Sequence, residues 1–169
     1  MNKSTLILIL LFSTAAFSQN ETIDAFLEKW QNSKTYLVEI ANAMPVDKYD
    51  YKPTEREMTF GEQLLHIKGN MDWLSTSYFT NEKFDKKKDE KTYSKDEIIL
   101  MVEKSFDKVY DIIINTNPES LNEKVVFFAG PKTKLQILNL LQDHVSHHRG
   151  QLIVYLNLNE ILPPKYVGW

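Results

Sequence analysis

The chain has no cysteine among its 169 residues. That absence removes thiolate nucleophiles, disulfide redox chemistry, thiolate-rich metal sites and a lipid-modified N-terminal cysteine. Any metal must therefore be held by nitrogen and oxygen donors. Positive charge is not in excess either: 20 Lys and Arg face 23 Asp and Glu, for a net charge of −3. The lysines are interleaved with acids, so no basic field exists to attract a phosphodiester backbone, and nucleic acid is not expected as a partner. Glycine-rich phosphate loops and a nucleophile-elbow serine are missing as well. The apolar run near the N-terminus, Leu6 to Phe12, is too short and too weakly flanked for a stable membrane span.

What the N-terminus does carry reads as an export signal, with an uncleaved N-terminal anchor as the alternative. Lys3 supplies the charged region and Leu6 to Phe12 the apolar region. Ala16-Phe17-Ser18 then places small residues at the −3 and −1 positions of a cleavage site before Gln19. Cleavage after residue 18 leaves 19 basic and 23 acidic residues. Residues 19–169 form one domain with its own core, expected in the periplasm or outside the cell.

Apolar residues make up 43% of the chain, and they recur at helical spacing in four segments. The first runs from about Glu21 to Met44, on Ile23, Phe26, Leu27, Trp30, Leu37, Ile40, Ala41 and Met44. The second opens with Thr59-Phe60-Gly61-Glu62, a capping box, and continues on Leu64, Ile67, Met71, Leu74 and Tyr78. A third begins at Ser94-Lys95-Asp96-Glu97 and carries Ile99, Val102, Phe106, Val109 and Ile113. The fourth starts at Thr133-Lys134-Leu135-Gln136 and reaches Leu158 on Leu138, Leu141, Val145, His148, Leu152 and Tyr155. Residues 81–92 read as a solvated loop, in which acids flank Lys86-Lys87-Lys88. Val125-Val126-Phe127-Phe128 is a β-like run, isolated enough to pack over a bundle end rather than form a sheet. Four amphipathic helices without a second strand predict an all-α four-helix bundle.

Three of the four histidines fall in Asp143-His144-Val145-Ser146-His147-His148-Arg149. On a helix, His144 and His148 project to one side, about 40° apart and one turn apart, so they can share an ion. His147 lies about 60° from His144 and about 100° from His148, which makes it peripheral. His66, on the second helix, is the candidate third ligand. Three imidazoles leave coordination positions open, as catalytic rather than structural sites do. The pair alone is a weak motif, and Val145 stands where a zinc protease has its general-base glutamate. Beside His66, Gln63, Asn70 and Trp73 continue a second stripe. These residues either line a pocket, with Gln63 or Asn70 holding a ligand or the second nitrogen of an imidazole, or form the wet flank of the helix. No general base is evident; Asp143 and Glu62 are the nearest acids in sequence.

His66 near the start of the second helix, together with H-x-x-x-H-R-G-Q at His144 to Gln151, resembles the DinB-like (YfiT-like) metalloenzyme family. Lys48-Tyr49-Asp50-Tyr51-Lys52-Pro53-Thr54 and Leu162-Pro163-Pro164-Lys165-Tyr166 extend the resemblance over nearly the whole mature chain. It implies an up-down-down-up bundle with long crossover loops, a divalent ion on His66, His144 and His148, and a homodimer. Zinc or nickel leads the expected ions, followed by iron, copper and manganese. Characterised members are thiol-dependent transferases and isomerases acting on small molecules, and the export signal separates this chain from the cytoplasmic pool of such thiols. Three functions follow: an exported transferase or hydrolase, a metal- or ligand-binding protein without turnover, and a purely structural bundle.

Overall fold

Backbone donors at three helix starts are closed as the capping signatures indicate. Thr59 Oγ1 accepts from Glu62 N at 3.1 Å and Glu62 Oε2 accepts from Thr59 N at 2.7 Å. Ser94 with Glu97, and Thr133 with Gln136, repeat the reciprocal pair. They open α2 (Phe60–Phe79), α3 (Lys95–Ile114) and α4 (Lys134–Leu158). The computed structural model describes residues 3–85 and 91–169, with side chains from Glu21 onward. The side chains of residues 1–18, where the sequence predicts an export signal, and the Lys86-Lys87-Lys88 tract lie outside the described residues. α1 spans Lys3–Ala43 and so begins well before the Glu21 expected from apolar spacing. No glycine or proline interrupts Lys3 to Met44, so nothing in the local chemistry stops the helix earlier.

The order of the helices follows from their cross-contacts. Ser105 on α3 bonds Asp72 of α2 and Lys108 bonds Thr76, while Ile98 lies against Gly61. Residue numbers rise together, so α2 and α3 are parallel. Trp30 meets Phe106 and Lys95 meets Asn42, so α1 and α3 are antiparallel. Gln63 meets Tyr155 and His66 meets His144, so α2 and α4 are antiparallel. Gln142 bonds Ser33 and Arg149 covers Tyr36, making α4 parallel to α1. The result is an up-down-down-up bundle with ring order α1, α3, α2, α4. Parallel α2 and α3 require the connection between them to travel the bundle's length, and residues 80–94 are long enough to do so.

All four expected stripes face the core. Only Phe26 and Tyr78, at its margins, are half-buried. Trp30 anchors the interior: fully buried, it stacks on Phe26 at 5.2 Å, packs on Phe106 at 4.7 Å, and donates Nε1–H to Phe106 O at 3.0 Å. Such a bond satisfies the one polar atom the indole brings inside.

One expectation is corrected. Val125 does not lie in an isolated run: β1 (Lys124–Val125) pairs antiparallel with β2 (Lys132–Thr133). The partner strand is two residues long and ends in the cap of α4, so it shows no alternating pattern of its own. Gly130, at φ +88°, closes the turn with its N–H on Phe127 O at 3.0 Å. The hairpin tip holds Phe127 inward, 8% exposed, and leaves Phe128 83% exposed.

Candidate metal centre

α2 and α4 run side by side in opposite directions, which sets the second turn of α2 against the middle of α4. His66 from α2 and His144 and His148 from α4 meet there, their donor nitrogens all within 4.8 Å of one another. Ring centroids are 4.9 Å apart for His66 and His144, 4.6 Å for His66 and His148, and 4.4 Å for His144 and His148. Exposure falls in steps: His66 is exposed, His144 half-buried and His148 buried. The cluster thus opens at the α2 side and is closed behind. His147 is exposed and outside the donor group, its ring edge-on to His148 at 4.8 Å.

Hydrogen bonding fixes which nitrogen of His148 faces the cluster. Tyr155 Oη donates to Met58 O at 2.9 Å, so its oxygen is left to accept from Gln63 Nε2, a long contact at 3.4 Å. That orients the Gln63 amide with Oε1 toward His148 Nδ1, at 2.7 Å. An amide oxygen only accepts, so Nδ1 carries the proton and Nε2 presents its lone pair to the other two rings. Gln63 is fully buried behind His148. Of the two roles open to it in sequence, holding an imidazole's second nitrogen is the one the geometry provides.

Two further observations fit the donor set to a divalent ion. His66 Nε2 and His144 Nε2 are 3.1 Å apart. Nitrogens bound at 2.0–2.1 Å to one zinc-sized ion would stand about 2.9 Å apart at a right angle and about 3.4 Å apart at a tetrahedral angle. Protonation is also suppressed. Burial, then the charges of His148, His66 and His147, push His144 down to about 4. Burial and the charge of His66 take His148 to about 4, and burial lowers His66. At neutral pH all three rings are neutral lone-pair donors, the form a metal requires.

Neither sequence-nominated acid stands in the group. Glu62 is engaged at the α2 cap, and Asp143 is exposed. Asn70 and Trp73 do face open space: with His66 they line a cavity of about 810 Å³ beside the cluster. Two smaller cavities, about 460 and 530 Å³, lie on the α3 flank and along α1 and α4, away from the histidines. The part that Tyr155 and Met58 play in orienting Gln63 carried no sequence signal, because the contacts span 92 and 97 residues; Tyr155 was visible only as a member of the α4 stripe.

An up-down-down-up bundle with an open three-histidine cluster between its second and fourth helices is the class defined by this architecture. The DinB family model matches residues 15–159, and the chain belongs to the DinB family. Two solved structures share the fold. A DinB-like protein from Bacillus cereus ATCC 10987 is 17% identical with a TM-score of 0.74, covering 85% of this chain and 97% of that one. A DinB-like protein from Bacillus subtilis, YjoA, is 19% identical with a TM-score of 0.68, covering 84% and 96%. No curated protein matches the chain.

Proposed function

We propose that this protein is an exported DinB-family protein that binds a divalent ion, zinc or nickel before iron, copper or manganese, and acts as a transferase or hydrolase. The observation that carries this reading is the convergence of three neutral imidazoles, one with its tautomer imposed by a buried amide. When bound, the ion would supply Lewis acidity that makes a thiol or water nucleophilic near neutral pH. His144 and His148 hold the closed side of the site, and exposed His66 borders the approach. Asn70 and Trp73 then orient what enters the adjoining cavity. Gln63 keeps His148 from rotating and from taking up a proton at the cluster.

A second reading, metal or ligand binding without turnover, is favoured by one feature. Among the described residues, the donor group contains no carboxylate to act as a base. Elemental analysis of the purified mature protein against His144→Ala/His148→Ala tests the site. Stoichiometric metal in the parent and none in the double variant is expected; metal persisting in the variant refutes it. Thiol-adduct and ester or amide hydrolysis assays on the metal-loaded protein then separate the two readings.

A further inference from the structure

The cavity beside His66 has a floor that packing does not explain. Gly69 sits in the middle of α2 and lines this space, and a Cβ built on it would meet nothing within 4 Å. Its backbone is ordinary helix, open to any residue, and a glycine there destabilises the helix relative to alanine. Neither a turn nor a close approach requires it. What glycine provides is a flat patch of helix backbone facing the open volume.

The walls indicate what would lie on that patch. Trp73, one turn further along, forms one side, and Phe84 contributes another apolar surface. Phe127 and Phe128 stack against the Trp73 indole at 6.0 and 6.4 Å and are only 4.3 Å from each other. Two rings that close together approach the indole from the same direction. The hairpin therefore braces Trp73, which itself lines the cavity, from one side. Charge on the lining is partly neutralised: Lys68 pairs with Asp72 at 2.9 Å, and Asp72 also accepts from Ser105 Oγ at 2.6 Å, while Asp85 adds a second carboxylate. Polar groups remain at Asn70, Ser77 and His66. A volume of about 810 Å³ suits a small organic molecule.

We propose that the cavity receives a flat aromatic molecule laid over Gly69 against Trp73, with its polar substituent turned toward His66. This names the substrate class of the site proposed above and rests on that reading only for the role of the polar substituent. Stacking favours an aromatic ring over a saturated ring of the same skeleton by a few-fold to about tenfold.

Calorimetric titration of the zinc-loaded mature protein with 2-naphthol and with decahydro-2-naphthol tests this directly. The aromatic probe is expected to bind more tightly by about three- to tenfold. Gly69→Leu, whose Cβ would enter open space and whose side chain would fill the floor, is expected to abolish naphthol binding while zinc stoichiometry and melting temperature hold. Trp73→Leu should bring the two probes to equal affinity. Equal affinities in the parent, or naphthol binding unchanged in Gly69→Leu, would overturn the proposal. A parent that holds no zinc but still binds naphthol in a Gly69-dependent way would instead overturn the metal reading and leave the cavity standing.

Discussion

Replacing Gln63 with leucine isolates the contribution of the buried amide behind the histidines. Leucine fills much of the same space but offers His148 Nδ1 no acceptor, so a 2.7 Å bond in a fully buried setting is lost. Two consequences follow from the same atom. The Nδ1–H is left unsatisfied inside the protein, costing about 1–3 kcal/mol of stability. The ring is also freed to rotate or change tautomer, and losing such a partner weakens metal binding by about 10- to 100-fold, or about 1.4–2.7 kcal/mol. The contact to Tyr155 adds little, because it is 3.4 Å long and Tyr155 keeps its bond to Met58. Competition against a chromophoric zinc chelator gives the affinity, and urea unfolding of the metal-free protein gives the stability. Gln63→Glu restores an acceptor at the same place and should bind zinc at least as tightly as the parent. If Gln63→Leu keeps its helical spectrum and binds zinc within about threefold of the parent, the amide does not orient His148 and the reasoning fails.

Other outcomes are equally specific. In the metal-free protein burial holds the pKa values of His144 and His148 at about 4, against about 6.5 in an unfolded chain. Between those values the unfolded chain binds more protons, so stability rises with pH across the window, is complete above about 6.5, and is lost as pH falls through about 4. Urea midpoints from pH 4 to 7 should show that slope, and it should flatten in His144→Ala/His148→Ala; a midpoint that rises on acidification contradicts the sign. Thr59→Ala removes the side-chain half of the α2 capping box and should cost about 1 kcal/mol in urea unfolding. Zinc stoichiometry should not change, since α2 is held along its length by α3 and α4. For export, intact-mass analysis of protein secreted by a bacterial host should find a chain beginning at Gln19; retention of residues 1–18 in the exported pool would refute the signal.

Local chemistry made much of this molecule readable in one dimension. The capping boxes at Thr59, Ser94 and Thr133 act over three residues, and the apolar stripes repeat within a turn, so helix starts and inward faces required no knowledge of neighbours. The four-residue step from His144 to His148 is likewise a property of one helix. The pairing of β1 with β2 was not readable, because a two-residue strand has no period. Gln63 was visible as part of a stripe, but its role was not.

By itself, then, the sequence determined the four helices, their buried faces, the absence of cysteine chemistry and a histidine pair on one side of α4. Tertiary structure decided that α4 lies antiparallel beside α2, which alone brings His66 to within 3.1 Å of His144 across 78 residues. It also decided that Gln63 stands behind His148 while Asn70 and Trp73 face open space, although all three share one stripe. The physical reason is one of range. Capping and helical periodicity are set by bonds within a few residues, whereas the assembly of a site depends on which helix packs against which and at what register.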